Sequence, residues 1–415
     1  MITAAGLQER RMPENKSLNV NKAAVIAMMI TSVCVGVVYM WSAYKTAAEA
    51  YYSWTPASAN MVSSIMLFTF TGGCFIGGVI QDRVGPKSTS LLGSFIFSAG
   101  MFLSSVLPQT ASIGIFYITY SVIGGLGSGF VFTSTLSGIP KWFPERRGLG
   151  TGLAALSFAA STVVFSPVCS AMLNHLSMPV TLRIFAIATF VILIVSCMFI
   201  KLPSEEFVLA HTPKSGTSVN ELRESINLDK AMKTKGFWIL FLCLFFYNGT
   251  WNMVTPLIKS LGIERGLSAA VAVLCLSLTG AFNAAGRIFM SSLSDKIGRY
   301  VTMYILCGIT ALSSIGLTFL PGGGYVGAVL AAAFAYGGPA AVYPALCTDL
   351  FGPKYSGRNY GFLMLGLGIS SVVFNAVSNA LFAAFDSYLP SFVMGAVTAV
   401  VTLVLIMMIK KLSEK

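Results

Sequence analysis

The sequence predicts an all-α membrane protein in which twelve transmembrane helices form two six-helix bundles. Of the 415 residues, 55% are hydrophobic and only 10% are charged, whereas a soluble domain carries about 25% charged residues. Twelve apolar runs are long enough to cross a bilayer, and one long polar stretch follows the sixth of them. We therefore expect an N-terminal bundle over residues 1–201, a cytoplasmic linker over 202–235 and a C-terminal bundle over 236–415.

The twelve predicted spans are numbered here in chain order. Their approximate bounds are 23–45, 57–81, 88–108, 111–139, 147–173, 180–201, 236–260, 268–294, 300–320, 324–349, 358–385 and 388–410. Within the linker, the pattern also predicts a short amphipathic helix near residues 219–232.

The distribution of basic residues predicts the orientation in the membrane. With the N-terminus inside, most of the 27 Lys and Arg residues fall in inner segments, and the outer loops hold only Lys45, Arg183, Lys259 and Arg265. Cytoplasmic loops carry an excess of Lys and Arg, so both termini are expected in the cytoplasm of a cell whose inner membrane holds the protein. The net charge of +12 is thereby explained by topology, and no nucleic-acid partner is expected.

The composition gives no sign of a metal centre or a catalytic site. All eight cysteines fall in apolar segments without a CxxC or CxxH spacing, and neither His175 nor His211 lies at membrane depth. No nucleophile is paired with a base. We therefore predict no metal, no cofactor and no enzymatic activity.

Arg287 is the one charged residue deep inside a predicted span. An arginine at membrane depth usually faces a polar cavity or a partner, because exposure to lipid costs about 3 kcal/mol or more. Asn283 lies four residues earlier and therefore on the same helix face. A guanidinium beside an amide can hold a carboxylate with two parallel hydrogen bonds, so we predict that both residues bind substrate. The alternatives are a guanidinium that snorkels to the interface or makes a structural hydrogen bond.

The two halves of the chain repeat each other at their loops. GGVIQDRVGPKST follows span two and MSSLSDKIGRYVT follows span eight, and both contain Asp, a base, an apolar residue and Gly in that order. KWFPERRGLGTG after span four likewise corresponds to DLFGPKYSGRNYG after span ten. Matched loops in two six-helix halves are typical of transporters whose halves rock about a central site.

These loops resemble the cytoplasmic signature of the major facilitator superfamily. The pattern G-x-x-x-D-R-x-G-x-K lies at 78–87, and a degenerate copy ends at Arg299 with Ser291 in place of the usual glycine. Other segments resemble the oxalate:formate antiporter family, bacterial relatives of monocarboxylate transporters. They are GVVYMWSAY at 36–44, ITYSVIGGLGSG at 118–129, KWFPERRG at 141–148, NAAGR at 283–287, YGGPAAVYPAL at 336–346 and FGPK at 351–354. The resemblance implies alternating access around one central site.

The resemblance also implies where the other site residues stand. Tyr39 and Tyr120 lie mid-span at positions where the family places site tyrosines, and each hydroxyl can donate to a carboxylate. Tyr336 and Met364 match aromatic site positions of the family, although Met364 departs from that pattern. The alternative for all four is ordinary packing within a helix bundle.

The residue at position 367 predicts the charge of the substrate. Family members that take the dicarboxylate oxalate are expected to carry a lysine in span eleven, facing the site arginine. Leu367 stands there in this chain, and no Lys or Arg occurs between Arg358 and Lys410. Because a second carboxylate would lack a cation in a low-dielectric cavity, we predict transport of a small monocarboxylate such as lactate, pyruvate or formate. Exchange of a dicarboxylate such as oxalate for formate is the alternative.

The positions of the acidic residues indicate how anion transport can be coupled to protons. All 15 Asp and Glu residues lie in tails, loops or helix ends, so no mid-span carboxylate offers a proton relay. A proton can still enter with the anion, because a bound monoanion neutralises Arg287. We therefore expect a monomeric transporter that uses proton symport, with antiport as the alternative. A membrane sensor that transports nothing is a weaker alternative, because the linker is too short for a signalling domain.

The signature turns predict contacts that close the cytoplasmic side. Asp82 and Arg83 in the first turn, and Asp295 and Arg299 in the second, are expected to pair with charges or helix ends of neighbouring spans. Topology alone would explain the basic residues but not the aspartates.

Overall fold

The computed structural model describes residues 20–204, 207–208 and 225–413, which are mostly helical and contain no strand. Long apolar helices are what a bilayer requires, because backbone polar groups there must be satisfied within the segment. The helices run over Lys22–Val35, Trp41–Tyr52, Pro56–Ser105, Ile113–Phe116, Gly124–Gly138, Arg147–Leu173, Met178–Met198, Leu228–Ala231, Lys235–Val254, Ile258–Glu264, Ala269–Ile297, Arg299–Phe319, Gly322–Gly337, Pro339–Phe351, Ser356–Phe385 and Leu389–Ser413.

The twelve predicted spans are present, although the described residues hold only ten helices that are long and apolar enough to cross a membrane by themselves. One of the ten joins spans two and three, because the helix Pro56–Ser105 continues through a non-helical residue at Gly85. Span one is not among the ten, since a 3₁₀ turn over Gly36–Met40 divides it into two shorter helices. The prediction of an all-α, twelve-helix, two-bundle protein is thereby confirmed.

The repeat seen in the sequence is also a repeat of backbone conformation. Gly85 has φ +80° and ψ 168°, and Gly298, its counterpart in the second signature turn, has φ +89° and ψ 155°. Residues with a Cβ rarely adopt positive φ, so glycine is needed at both turns. Both turns lie at the same end of the bundles, which we call the basic face and which the sequence predicts to be cytoplasmic.

The two bundles touch through small residues of spans two, five, eight and eleven. A Cβ on Gly78 of span two would lie 2.6 Å from the carbonyl oxygen of Gly357 and 2.7 Å from the Cα of Arg358, in span eleven. A Cβ on Gly152 of span five would collide with the hydroxyl of Ser291 in span eight. Small residues allow membrane helices to approach this closely.

The described part of the linker is fastened to the basic face. The helix Leu228–Ala231 begins at Asn227, whose side chain accepts a hydrogen bond from the amide of Lys230. The amide of Ile226 donates to the carbonyl of Phe351 at 3.0 Å, and Asp229 pairs with Arg358 at 3.6 Å. The rest of the helix predicted near 219–232 lies largely outside the described residues.

Candidate functional site

Arg287 lies at the contact between the two bundles and is only 4% exposed. Its Nε donates to Asn283 Oδ1 at 2.9 Å, which is the pairing expected from their spacing on one helix. Its Nη1 donates to the carbonyl of Ala155, in span five of the other bundle, at 2.7 Å. Its Nη2 makes no hydrogen bond to the residues that the structure describes. The side chain therefore reaches across to the opposite bundle and does not extend along its own helix to the basic face.

A cavity between the bundles is built around this guanidinium. Arg287 is the one charged residue among the described residues that line it, and Asn248, Tyr336, Tyr343 and Tyr360 are its polar neighbours. The remaining lining is apolar: Phe70, Phe132, Phe158, Leu244, Pro339, Ala340, Met364 and Leu367. Such a lining, mostly apolar with a few convergent polar groups, is typical of small-molecule sites. We call this the central cavity.

The structure brings some of the predicted site residues together here. Tyr336 and Met364 line the central cavity beside Arg287, and Leu367 lines it where a second cation was expected in oxalate carriers. Tyr120 is placed elsewhere: its ring is fully buried, stacks on Phe116 at 5.1 Å and packs against Trp41 at 5.5 Å.

The other predicted tyrosine of the first bundle lies partly beyond what the structure describes. Tyr39 belongs to the 3₁₀ turn that divides span one. Its side chain is outside the described part, so its role stays a prediction.

Four residues around the cavity were not predicted. Trp251 stacks on Tyr336 with ring centroids 5.1 Å apart and an interplanar angle of 16°. Asn248, whose Nδ2 donates to the carbonyl of Leu244 at 2.6 Å, carried a usable signal, because an amide in mid-span is uncommon. Tyr343 and Tyr360 gave no such signal, since tyrosines in membrane helices often only pack or anchor.

Asp295 ties the second bundle to the first at the basic face. Its two carboxylate oxygens accept the backbone amides of Gly148 and Leu149, both at 2.9 Å. These amides belong to the first turn of the helix Arg147–Leu173, where orphan donors and the helix dipole favour an anion. A carboxylate from span eight therefore caps a helix of the other bundle.

Arginines extend this contact. Arg299 bonds Asp295 directly through Nη1, and its Nε donates to Asp349 Oδ2 at 3.1 Å. Asp349 Oδ1 also lies 3.9 Å from Nη1 of Arg147, in the first bundle. Asp295 and Arg299 thus make the kind of contacts that were predicted to close the cytoplasmic side. Asp349 and Arg147 take part in the same cluster of charges, although neither was predicted.

The first signature turn is arranged differently. Asp82 and Arg83 are exposed, and neither forms an ion pair with the residues described. Gln81, next to them, is buried and donates to the hydroxyl of Ser137 at 2.7 Å. The charge pairs expected of Asp82 and Arg83 are therefore not seen in this arrangement of the bundles.

The fold, with a cavity between two helical bundles, is that of a membrane transporter. The chain belongs to the Major Facilitator Superfamily, whose family model matches residues 23–343.

Individual relatives match most of the chain at low identity. The oxalate:formate antiporter of Oxalobacter formigenes is 25% identical over 384 residues, covering 92% of this chain and 89% of its own. The uncharacterised transporter YhjX of Escherichia coli is 26% identical and covers 84% and 85%. The apicoplast pyruvate carrier 1 of Toxoplasma gondii is 28% identical and covers 71% and 64%.

Solved structures show the same fold. The transporter FucP in its outward conformation superposes with a TM-score of 0.72 at 13% identity, covering 93% of this chain and 98% of its own. A double-tryptophan variant of XylE superposes with a TM-score of 0.74 at 14% identity, covering 92% and 94%. At such identities the likeness concerns the fold alone.

Proposed function

We propose that this chain is a secondary active transporter of small monocarboxylates, which works by alternating access with proton symport in the inner membrane. The observation that carries the proposal is the charge of the central cavity. Arg287 is the one charged residue in its described lining, and Leu367 adds an apolar surface on span eleven. One guanidinium matches one carboxylate, so the cavity suits a monoanion.

Arg287 retains donors for such an anion. Nε and Nη1 each donate one hydrogen bond to a protein oxygen, whereas Nη2 donates to none of the described residues. Because a guanidinium has five N–H donors, a carboxylate can bind Nη2 and the second hydrogen of Nη1 without displacing either protein acceptor.

The rest of the lining suits the other end of the molecule. The phenylalanines Phe70, Phe132 and Phe158 and the side chain of Met364 offer apolar surface, and tyrosine hydroxyls offer a few polar contacts. Lactate and pyruvate have a methyl group and one further oxygen that match such a surface. Formate has no methyl group, so we expect it to bind more weakly.

Anion exchange is the second candidate, and the similarity to the oxalate:formate antiporter of Oxalobacter formigenes favours it. An oxalate dianion at Arg287 would leave one carboxylate facing Leu367 and other apolar groups. Breaking the charge match of a buried pair costs about 3–5 kcal/mol, so we rank dicarboxylate exchange second.

Uptake of labelled lactate, pyruvate, formate and oxalate into proteoliposomes tests the proposal. We expect lactate and pyruvate uptake to accelerate with an inward acid gradient and no internal anion, and oxalate uptake to stay near background. Robust oxalate transport would overturn the charge argument. Lactate uptake that requires an internal anion and ignores the pH step would make the protein an exchanger.

Variants of Arg287 test its place in the site. We expect Arg287→Ala to abolish uptake and Arg287→Lys to lower it at least about tenfold, because lysine keeps the charge but lacks the planar fork. Arg183→Lys is the matched control, since Arg183 also donates to a backbone carbonyl, that of Ser105 at 3.1 Å, but lies outside the cavity. Normal uptake by correctly inserted Arg287→Ala protein would end the site assignment.

A further inference from the structure

A second cavity lies between the bundles, closer to the basic face. Residues of spans four, five, ten and eleven line it together with the loops that join them and with Val208 of the linker. Both Lys141 and Arg147 are among these residues. No acidic residue occurs in its described lining. Tyr360 lines this cavity and the central one as well, so it forms the wall between them. We call this second space the basic-face cavity.

The two cations of the basic-face cavity are poorly compensated. Within the described residues, the Lys141 ammonium makes no hydrogen bond and no ion pair. Asp82 interacts through space with Arg358 first and with Lys141 second, so its carboxylate is shared between two cations. Arg147 has Asp349 at 3.9 Å, and that carboxylate is already held by Arg299 at 3.1 Å. The cavity therefore has an excess of positive charge.

An anion that leaves Arg287 for the basic face has to pass this region. Leaving a buried guanidinium for an uncharged passage is unfavourable, whereas a second cation a short way on lowers the barrier. Conduction through narrow passages generally uses several sites of moderate strength for this reason. The basic-face cavity supplies such a cation on the far side of the Tyr360 ring.

We propose that the basic-face cavity is a second binding site for small carboxylates, which the transported anion occupies between Arg287 and the basic face. Lys141 and Arg147 bind its carboxylate, and Tyr360 separates this site from the central one. The inference rests on the proposed function for the identity of the anion, but not for the existence of the site.

Thiol labelling tests the charge of the cavity without any transport. Thr348 lines the cavity, and the eight native cysteines are all buried, so a cysteine at position 348 is a specific reporter. When each rate is divided by the rate of the same reagent with a free thiol, we expect Thr348→Cys to favour an anionic methanethiosulfonate about fivefold over a cationic one of similar size, because of the uncompensated ammonium. Adding Lys141→Gln should remove this preference, and Lys141→Arg should retain it.

Arg146→Gln is the matched control, because Arg146 is an exposed base of the same loop and does not line the cavity. It should leave the preference unchanged. Equal rates of the two reagents after this normalisation, or a preference that Lys141→Gln leaves intact, would overturn the proposed site.

Protection by ligand identifies the anion. We expect lactate or pyruvate to slow the labelling of Thr348→Cys, and to do so equally in the Arg287→Ala background, because the two sites are separate. Protection that disappears with Arg287→Ala would mean that the central cavity is the only site. Protection without any uptake by the wild-type chain would refute the proposed transport and keep the second site. Uptake without protection would refute the second site and keep the proposed transport.

Discussion

The two signature turns share a backbone conformation but hold their neighbours by different means. In the second bundle, Asp295 accepts two backbone amides of span five. In the first bundle, Asp82 is exposed, and span two meets span eleven through the close approach of Gly78 to the backbone of Gly357. The interface of spans five and eight thus combines a charged contact with the close approach of Gly152 to Ser291, whereas the interface of spans two and eleven has a close approach without an ion pair among the described residues. A repeated motif therefore specifies the turn itself, while the residues opposite decide how each turn makes contact.

Removal of the Asp295 carboxylate should have the largest effect on closure of the basic face. Two hydrogen bonds to a charged group contribute about 3 kcal/mol together, so Asp295→Ala should shift the ratio of closed to open states on the order of a hundredfold. Asp295→Asn keeps one oxygen acceptor and should shift it about tenfold. The rate of maleimide labelling of Thr348→Cys measures this opening, and an unchanged rate in Asp295→Ala would contradict the electrostatic role.

Glycine-to-alanine substitutions should distinguish the two interfaces, because a second substitution can restore closure at only one of them. A Cβ at Gly78 meets backbone atoms, whereas a Cβ at Gly152 meets the Ser291 hydroxyl. Overpacking costs about 1–3 kcal/mol, so Gly78→Ala and Gly152→Ala should each raise labelling about tenfold.

The rescue is specific to the interface of spans five and eight. Ser291→Gly removes the group that collides and should return Gly152→Ala close to the wild-type labelling rate. Ser291→Gly should not rescue Gly78→Ala, which provides the control. If the double variant is labelled as fast as Gly152→Ala alone, Ser291 is not the group that a Cβ at position 152 meets.

Asp82→Asn should have the smallest effect on closure of the basic face. Because the Asp82 side chain is exposed and forms no ion pair with the described residues, its neutralisation should change the labelling rate less than about twofold. Asp82→Asn and Asp295→Asn make the same chemical change at equivalent positions, so each is the control for the other. Equal effects of the two variants would show that both turns close the face electrostatically.

Much of the fold follows from the sequence because a bilayer imposes one simple rule. A segment that crosses it must be long, apolar and helical, so hydropathy places the spans. Interruptions inside spans are less visible. The 3₁₀ turn over Gly36–Met40 and the π-helical stretch Tyr117–Ile123 lie in apolar sequence that also suits a regular helix. Packing against neighbouring spans decides whether such a segment is α-helical, 3₁₀ or π-helical. The hydrophobic periodicity of one span carries no information about that packing.

The candidate site was only partly predictable for a similar reason. Arg287 and Asn283 could be paired because both lie on one helix at a known spacing. The acceptor at Ala155 is a backbone carbonyl, and alanine gives no hint that its carbonyl faces a guanidinium. Trp251 reaches the site only through its stacking on Tyr336, a contact between two spans that sequence spacing does not encode.

The hydrogen bond from Arg287 to the carbonyl of Ala155 bears on how the unloaded carrier returns. A symporter must reorient without its anion, whereas an obligatory exchanger must not. A bare guanidinium is expensive to carry through a low-dielectric passage, but two oxygens from the protein offset part of its charge. Asn283 travels with Arg287 on the same helix, while Ala155 belongs to the opposite bundle. Under the proposed symport, the empty return step would therefore depend on a main-chain group that no side-chain substitution at position 155 can remove.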